Sequence, residues 1–479
     1  MIHIPKLRKV KLISIFLLIF FGAFLRFYNL NFDDLWSDEM ISFWLSNPTY
    51  SFSETLKLIF ESNLMISFEV ILKNFHKLFG YNVHVSRYLN AFISVFSVIL
   101  FVELLRKNSV NINTVLFGTF LLALNIFHIR YAMELRSYTL TFFLALILIN
   151  LLFKDQYLKK DITHLDYFLI ILSSLLMLFC HPFSIIIILS LNFYILCLWV
   201  LKKNNNSNLK KIFFLNTFVV IFFLFFYLRG ISHTPYWIKQ LDLSFFTNYF
   251  FSSFFGSRLI GGVYLIALIY LLTKSLKEMI NKANINFFFL ILIFFTYSLP
   301  AFYGFIFDPI LINRYIIFVL IPILFLISNL AFENKNNLTK NILVSLILIL
   351  TFFNHFTENT FKQFYTEIYP SKPQVKKSLE IINNSKTLSY SVLLDDNNER
   401  NINTIYENYL TNYSKKLKFD LNFVNYLNKK TLPDDLWIIH IRDITEIDFK
   451  KPDNFLEYTI KEKKYLNRLE LYKLKKNDT

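Results

Sequence analysis

The stretch LWSDEMISFW, residues 35–44, places two adjacent carboxylates, Asp38 and Glu39, among Leu, Trp, Met, Ile and Phe side chains. It follows an apolar run from Val10 to Phe27 that is long enough to cross a membrane as a helix. Acidic residues placed just after a membrane helix either cap the next helix or take part in chemistry. Since Ser37 and Asp38 are both of capping type, this stretch alone leaves the two interpretations open.

Apolar side chains come in blocks along most of the chain. Of the 479 residues, 55% are hydrophobic and 19% aromatic, and 58 are Phe, far above average usage in globular domains. The blocks predict a mainly α-helical, polytopic membrane protein with about eleven membrane helices. These lie near residues 10–27, 84–105, 112–128, 137–153, 165–180, 183–201, 212–228, 258–273, 286–305, 315–332 and 341–357. The first block has no convincing cleavage site after it, so a membrane helix is predicted rather than a signal peptide.

Basic residues predict on which side of the membrane each loop lies. Lys- and Arg-rich segments precede the first helix and recur in alternate loops, as KLRKVK, RKNSVN, KDQYLKKD, KKNNNSNLKK, KSLKEMINK and ENKNNLTK. The N-terminus is therefore predicted to be cytoplasmic, with the C-terminal part on the outside of a bacterial inner or plasma membrane. The net charge of +16 then reflects topology, and nucleic-acid binding is not predicted.

The last part of the chain has a different composition. Residues 1–357 are predicted to form the transmembrane domain, and the polar residues 358–479 a small extracytoplasmic α/β domain. Its predicted strands are LSYSVLLDD, LWIIHIRD and RLELYKL, and INTIYENYL is a predicted helix. The two cysteines, Cys180 and Cys197, lie in or beside predicted spans and offer neither a metal-binding spacing nor an obvious disulfide.

Ionisable and aromatic residues gather in the loops that are predicted to lie outside. The first of these loops, 28–83, carries Asp38 and Glu39 and two amphipathic segments that we expect to lie along the membrane surface. The later loops carry Arg130, Tyr131, Glu134, Arg136, Tyr138, His181, Trp237, Asp308, Arg314 and Tyr315. Because charged groups at membrane depth are costly and often mark function, the set predicts one polar site at the outer surface.

Each of these residues also has a structural interpretation. Glu134 and Arg136 can form an ordinary ion pair at the membrane surface, and a lone arginine such as Arg314 commonly extends to lipid headgroups. His181 precedes a proline and can simply end a helix, while Trp237 suits an aromatic belt. No single residue decides between a structural and a functional role.

As a set, the motifs resemble the GT-C glycosyltransferases, in the bacterial branch that is similar to protein O-mannosyltransferases and to the aminoarabinose transferase of lipid A. In chain order they are WSDE at 36–39, Arg87 at the start of the second helix, a Y-x-x-E-x-R-x-Y pattern at 131–138, HPF at 181–183, TPYWI at 234–238 and NRYIIFVLIP at 313–322. The resemblance covers about residues 12–330. Many relatives carry a His/Asn-Pro-Pro-Leu-Tyr-Tyr element where this chain reads ESNLMISFEVILKN. That departure implies a different sugar or acceptor, or a weakened site.

The resemblance implies a polyprenyl-phosphate-sugar donor at the outer leaflet and a lipid, glycan or protein acceptor. Because the acceptor hydroxyl must lose its proton, three acids are expected at the catalytic site: Asp38 as the general base, Glu134 as the second candidate that assists the base or orients the arginines, and Glu39 as a residue that holds the loop or binds a cation. The implied ligands of the donor phosphate are Arg130, Arg136, Arg314, Tyr315 and Arg87, and the implied substrate contacts are Tyr131, Tyr138, His181 and Trp237. Direct displacement predicts inversion at the anomeric carbon; a retaining route would need a second carboxylate close by.

The sequence contains no motif that identifies a cofactor. A nucleotide-sugar donor in a Rossmann domain is not predicted, because the eight glycines form no nucleotide-binding loop. A divalent cation held by His181 with a carboxylate stays open, although these residues have no diagnostic spacing.

Other function classes also stay open. A glycan ligase that uses a lipid diphosphate is polytopic and outward-facing too, but it accounts less well for the paired acidic loop. A secondary transporter would place charges near mid-membrane and break its helices there with Gly or Pro. A non-catalytic lipid-binding protein would share the cationic outer site without needing Asp38.

Overall fold

The computed structural model describes residues 6–479 except 63, 110, 155–156, 160, 202–206, 231–237, 239–251, 334–335, 386–389, 395–401, 418–420, 424–433, 442–457 and 478–479. The chain divides into two compact units. The first unit consists of Met1–Tyr28, Asn63–Phe68 and Asn90–Glu367, and the second of Asn29–Ser62, Glu69–Leu89 and Ile368–Thr479. Most of the first outer loop therefore belongs to the same unit as the C-terminal part of the chain.

Helices make up most of the described chain. In order they are α1 (Lys6–Phe27), α2 (Ser37–Leu45), α3 (Phe52–Glu61), α4 (Ile66–Phe79), α5 (Val83–Asn108), α6 (Ile112–Ala123), α7 (Ile126–Ala132), α8 (Tyr138–Leu152), α9 (His164–Leu178), α10 (Ile185–Val200), α11 (Ser207–Gly230), α12 (Ser252–Phe255), α13 (Arg258–Lys282), α14 (Ile285–Ile306), α15 (Leu320–Glu333), α16 (Asn337–Thr357), α17 (Asn359–Lys362), α18 (Val375–Asn384) and α19 (Ile402–Leu417). Short 3₁₀ helices at Pro182–Ser184 and Asn313–Val319 lead into α10 and α15.

Several of these helices are suited to a membrane. Within the described ranges, eight are long and apolar enough to cross one: Val10–Phe27, Val83–Asn108, Pro182–Val200, Asn208–Leu228, Arg258–Lys282, Ile285–Ile306, Asn313–Glu333 and Asn337–Thr357. A ninth span results if α6 and α7, which meet at 53°, are counted as one broken span. The apolar helices α8 and α9 have only 15 residues each. The mainly α-helical membrane fold is confirmed, whereas the predicted count of about eleven spans is not.

The core of the first unit lies along α15. In the span Asn313–Glu333, 89% of the apolar stretch is buried inside the protein, against 22% in Val10–Phe27. A helix that is apolar on every side is stable when other helices surround it. The outer helices instead expose large side chains such as Phe16, Phe20 and Phe214, as a lipid-facing surface requires.

The break between α6 and α7 is built from polar side chains. A helix leaves its last carbonyls without partners, which is costly away from water. Arg26 donates to two such carbonyls of α6, at 3.2 and 2.8 Å, and His355 Nε2 lies 2.7 Å from the Leu124 carbonyl. Asn125 Oδ1 then accepts the His128 N–H at 2.8 Å and caps α7. These contacts fix the direction in which α7 approaches the second outer loop.

The second unit contains a mixed five-stranded sheet in the order β4-β3-β5-β7-β6. Its strands are β3 (Tyr390–Leu394), β4 (Leu421–Phe423), β5 (Asp435–Ile441), β6 (Tyr458–Leu466) and β7 (Leu469–Lys476). In the first unit, two antiparallel strands of two residues each are β1 (Phe153–Lys154) and β2 (Tyr157–Leu158). Strands β4, β3 and β5 run parallel, and β7 and β6 are antiparallel to their neighbours. The predicted C-terminal α/β fold is confirmed, including a helix, α19, over INTIYENYL.

Candidate functional site

The first turn of α2 carries both carboxylates of the stretch at 35–44. The N-cap position of α2 is Trp36, so Asp38 is the second residue of the helix and does not occupy the capping position. The carboxylate that reaches back to the start of the helix is Glu39, whose Oε2 accepts the Trp36 N–H at 3.3 Å. Asp38 is half-buried, whereas Glu39 is fully buried. The two neighbouring acids therefore have different environments.

Glu39 is paired with an arginine that the helix α5 supplies. Arg87 Nε lies 3.1 Å from Glu39 Oε1 and Arg87 Nη2 lies 3.0 Å from Oε2, a bidentate arrangement. The side chains are 2% and 0% exposed. The other N–H groups of Arg87 donate to the backbone carbonyls of Leu30, Asp33 and Asp34, at 3.3, 2.5 and 2.9 Å. Arg87 thus ties Glu39 to the chain that precedes α2.

The contacts of Arg87 bear on its predicted role. A guanidinium has five N–H donors, and five hydrogen bonds within the second unit account for them. A donor phosphate would have to displace these acceptors. The roles of Arg87 as a phosphate ligand and of Glu39 in catalysis stay predictions, and the geometry favours a positioning role for both.

Asp34 is a further buried acid of the same loop, and its Oδ2 accepts the Lys376 N–H at 2.8 Å. Burial raises the pKa of Asp34 to about 6, while the Lys376 N–H and the charge of Arg87 act in the opposite direction. Leu35, the next residue, donates its N–H to the Tyr409 hydroxyl at 3.1 Å. The loop that leads to Asp38 is therefore held along its length.

The first unit holds the second outer loop by its backbone. Asn90 Nδ2 donates to the carbonyls of Glu134 and of Arg136, the latter at 2.8 Å. Thr139 Oγ1 donates to the Tyr131 carbonyl at 2.8 Å. These bonds fix the turn between α7 and α8, which carries Glu134 and Arg136 and joins the helices that carry Tyr131 and Tyr138.

Five predicted residues from separate parts of the chain form one group, which we name the cationic aromatic cluster: Tyr131, Tyr138, His181, Arg314 and Tyr315. Ring centroids lie 5.3 Å apart for Tyr131 and Tyr138, 5.8 Å for Tyr138 and His181, and 4.7 Å for His181 and Tyr315. The guanidinium carbon of Arg314 lies 6.0 Å from the Tyr138 ring and 5.8 Å from the Tyr315 ring.

Within the cluster, the His181 ring lies next to the rings of both Tyr138 and Tyr315. Its Nδ1 accepts the Phe183 N–H at 3.3 Å, so the ring proton resides on Nε2. Arg136 and Arg314 both lie near enough to His181 to act on it electrostatically. Positive charge, an imidazole N–H and phenol hydroxyls form a suitable set of ligands for a phosphate group.

Two other predicted site residues, Arg130 and Trp237, are not among the five residues of the cationic aromatic cluster. Arg130 is 59% exposed on its side chain, and its Nη2 lies 3.9 Å from Glu358 Oε2. Trp237 and the rest of TPYWI except Ile238 lie outside the described residues. Across the described parts of the chain, no group of three or more His, Cys, Asp and Glu side chains could hold a metal ion.

Three residues of evident importance escaped the sequence analysis: Asn90, Lys372 and Asp34. Asn90 lies one helical turn after Arg87, a spacing that could have suggested a second inward-facing polar residue on α5. Lys372, whose Nζ lies 2.5 Å from Glu39 Oε2, and the acceptor role of Asp34 depend on pairing over more than three hundred residues. No local pattern reports such pairing.

Solved structures provide the comparison. No family model matches the sequence, and neither does any curated protein. ArnT from Cupriavidus metallidurans in the apo state matches with a TM-score of 0.57 at 10% identity, over 95% of this chain and 97% of ArnT. The same protein bound to undecaprenyl phosphate gives a TM-score of 0.52 at 10% identity, with the same 95% and 97% coverage.

An archaeal protein matches as well. The oligosaccharyltransferase AglB from Archaeoglobus fulgidus, in complex with an inhibitory peptide and a dolichol-phosphate, has a TM-score of 0.52 at 9% identity, over 91% of this chain and 69% of AglB. ArnT and AglB are both GT-C proteins. The chain therefore has a GT-C fold like that of ArnT.

Proposed function

We propose that the chain is a membrane glycosyltransferase that moves a sugar from a polyprenyl-phosphate donor to a lipid, glycan or protein acceptor on the outer face of the membrane. The observation that carries the proposal is the cationic aromatic cluster, in which Arg314 lies beside Tyr138, Tyr315 and His181. The ArnT fold supports it, since one ArnT structure contains undecaprenyl phosphate.

The leaving group of such a reaction is a lipid phosphate, which is already negative and needs cations rather than an acid. We assign this role to Arg136 and Arg314, because guanidinium groups bind phosphate oxygens in a bidentate way. His181 adds an N–H donor through Nε2, and Tyr315 a hydroxyl. Arg130, which is exposed, is a secondary phosphate ligand in this proposal.

The acceptor hydroxyl must lose a proton as its oxygen attacks the anomeric carbon. We assign the general base to Asp38, with Glu134 as a partner that orients the arginines. As the bond from the anomeric carbon to the acceptor oxygen forms, the bond to the phosphate oxygen breaks and the acceptor proton passes to Asp38. A general base contributes about 10²–10⁴-fold to the rate. A single displacement inverts the anomeric carbon.

A second function, transfer of a whole glycan from a lipid diphosphate, is favoured by one observation. AglB, an oligosaccharyltransferase, matches the chain with a TM-score of 0.52, equal to that of the undecaprenyl-phosphate complex of ArnT. The two functions differ in the donor, since a monophosphate carries one phosphoryl group and a diphosphate two.

Donor turnover by Arg314→Met tests the proposal. Membranes with the wild type, Arg314→Met or the control Arg258→Met receive labelled polyprenyl-monophosphate sugars, polyprenyl-diphosphate glycans and an envelope extract as acceptor. Arg258 suits as a control because it is an exposed arginine at the start of α13. We expect monophosphate turnover by the wild type and the control, and at least about 100-fold lower kcat/KM in Arg314→Met, since a charged phosphate contact is lost.

Two outcomes contradict the proposal. Turnover of the diphosphate donor alone would replace it by the glycan-ligase function. Wild-type kcat/KM in Arg314→Met would remove the cationic aromatic cluster from donor binding.

A further inference from the structure

The acids that lead to Asp38 are bound by a segment that lies far away in the sequence. We name residues 29–39 the acidic loop and residues 370–376 the clamp segment. Lys372 Nζ lies 2.5 Å from Glu39 Oε2. Ser371 donates its N–H to Asp33 Oδ1 at 2.9 Å and its hydroxyl to Asp33 Oδ2 at 2.8 Å. With the Lys376 N–H on Asp34, three of the four acids in the loop accept donors from the clamp segment.

We propose that the clamp segment is a positioning element of the transferase, and that Lys372 acts through Glu39 to hold Asp38 in place. The inference rests on the function proposed above and gives the C-terminal domain a part in it. Asp38 and Glu39 share the first turn of α2, so a shift of Glu39 moves Asp38 with it. Small displacements of a catalytic group lower the rate strongly because the reacting atoms must meet in a narrow geometry.

The contact between Glu39 and its two cations is buried. The Glu39 side chain is 0% exposed, and those of Arg87 and Lys372 are 2% and 13% exposed. A buried carboxylate must keep its cations, because an unpaired charge away from water is costly. Glu39 has one on each side, Arg87 from α5 and Lys372 from the clamp segment. Arg87 contacts both carboxylate oxygens, and Lys372 adds a second cation at Oε2.

The clamp segment is itself anchored in the C-terminal sheet. Asn467, in the turn between β6 and β7, donates through Nδ2 to the carbonyls of Pro370 and Lys372, at 2.6 and 3.1 Å. Its N–H donates to Gln374 Oε1 at 2.9 Å, and the Gln374 N–H returns to the Asn467 carbonyl at 3.2 Å. The sheet therefore sets where Lys372 lies, and through it where Glu39 lies.

A second part of the C-terminal domain supports the same region from α19. The Tyr81 hydroxyl lies 2.7 Å from Asn408 Oδ1 and 3.0 Å from the Phe43 carbonyl, so its single proton is shared between these two acceptors. Tyr409 accepts the Leu35 N–H. Both the acidic loop and α2 are thus held from the C-terminal domain, which a domain that merely covered the site would not require.

The competing interpretation is that these contacts only stabilise the fold. A stabilising contact changes the amount of folded protein but leaves the kcat of the folded fraction unchanged. A positioning contact lowers kcat, leaves the KM for the donor nearly unchanged, and loosens the acidic loop in the folded protein. Hydrogen exchange of the acidic loop and steady-state kinetics together separate the two.

The test uses the purified full chain as wild type, Lys372→Met, Lys372→Arg, Ser371→Ala and the control Lys377→Met, whose side chain is exposed next to the clamp segment. Hydrogen exchange is followed by mass spectrometry in peptides covering 29–45, and donor turnover is measured on folded protein. We expect about tenfold faster exchange and at least tenfold lower kcat in Lys372→Met, with KM within twofold. Lys372→Arg recovers most of both, Ser371→Ala shows a smaller loss, and Lys377→Met matches the wild type.

Each other outcome has a definite meaning. Faster exchange with wild-type kcat would overturn the positioning role and leave a stabilising contact. Unchanged exchange in both Lys372→Met and Ser371→Ala would overturn the clamp itself. If the wild type turns over no donor while Lys372→Met loosens the loop, the proposed transferase has failed, and the catalytic role of the clamp segment is overturned with it. If Lys372→Met does not fold, Ser371→Ala decides the question, because it removes one hydroxyl only.

Discussion

The contact between Arg87 and Glu39 places two charges where water does not reach, with side chains 2% and 0% exposed. We predict that Arg87→Met lowers the free energy of unfolding by roughly 3–5 kcal/mol, since it leaves Glu39 with half of its partners. Arg106→Met is the matched control, because Arg106 pairs with Glu103 at 2.7 Å but is 66% exposed. Its expected cost is below about 1 kcal/mol. Unfolding of purified protein in detergent gives both values.

A double-mutant cycle shows whether the lost free energy of unfolding comes from the contact between Arg87 and Glu39. Glu39→Gln alone and the double variant Arg87→Met/Glu39→Gln complete the cycle, and we expect a coupling energy of about 1–3 kcal/mol. Additive losses would mean that Arg87 acts through the backbone carbonyls it binds rather than through Glu39.

Asp34 gives the protein a pH dependence of known sign. Burial raises the pKa of Asp34 from 3.8 to about 6. The folded protein therefore binds the Asp34 proton more tightly than the unfolded chain does. The stability that the protonated Asp34 contributes is fully present below about pH 4 and is lost as the pH rises through about 6. At about 1.4 kcal/mol per pKa unit, the loss is roughly 3 kcal/mol. We predict that Asp34→Asn becomes more stable relative to the wild type between pH 4 and 7, because Asn keeps an acceptor for the Lys376 N–H.

Unfolding curves of the two proteins at several pH values provide the test. Asp161→Asn serves as a control, since Asp161 is exposed. A wild type that gains stability over Asp34→Asn as the pH rises would contradict the assignment of a raised pKa.

The chemically active residues could be predicted from the sequence, but their partners could not. The stretch at 35–44 contains two acids and leaves their roles open, because Ser37 and Asp38 are both of a type that caps helices, whereas a tryptophan rarely does. Only the structure shows that Trp36 occupies that position and that Glu39 is buried. The partners of Glu39 come from α5 and from the clamp segment, at distances in the chain where spacing carries no information.

Among the elements, the broken helix pair α6 and α7 determines where the second outer loop begins. Arg26 is fully buried and donates to the Gly22, Leu122 and Ala123 carbonyls and to Ser94 Oγ. We predict that Arg26→Met lowers the free energy of unfolding by roughly 3 kcal/mol or more, because these carbonyls lose their donor away from water. Arg26→Lys should cost less, since a lysine supplies three donors in place of five.

Donor turnover of the same variants gives a second readout. In folded Arg26→Met, the loop that carries Glu134 and Arg136 begins from a less fixed helix, so kcat falls. An Arg26→Met protein as stable as the wild type would contradict the proposed support of the break.

The elements differ in how far the sequence could predict them. The apolar blocks located the long helices well, and short apolar stretches in the polar C-terminal part located β3, β5 and β7. The break at Leu124 and Asn125 was missed because the apolar run continues through it, and Asn125 was the only local signal. The strand β6, YTIKEKKYL, was missed because it is an edge strand with charged residues on both faces.

For the whole molecule, the predicted topology can be measured. In a background of Cys180→Ala and Cys197→Ala, single cysteines at Lys57 and Lys377 should react with a membrane-impermeant maleimide in intact cells. A cysteine at Lys282 should react only after permeabilisation. Lys57 and Lys282 are 76% and 53% exposed, so accessibility in the protein does not limit either reaction. Labelling of all three in intact cells would contradict the topology.

The division into two units was the part of the architecture that the sequence analysis could least foresee. Composition separated the polar C-terminal part from the membrane helices, but it assigned the first outer loop to the transmembrane domain. The loop belongs to the second unit because its acids Asp33 and Asp34 bind the clamp segment, and such long-range pairing leaves no trace in local hydropathy.

In the proposed reaction, the chain transfers a sugar with Asp38 as the general base. The most direct measurement compares sugar transferred and polyprenyl phosphate released by the wild type, Asp38→Asn and Asp161→Asn at matched expression, with the donor that the wild type uses. We predict equal rates for the wild type and Asp161→Asn, and a rate about 10²–10⁴-fold lower for Asp38→Asn. Turnover by Asp38→Asn at the wild-type rate would contradict the account and make Glu134 the next candidate for the base.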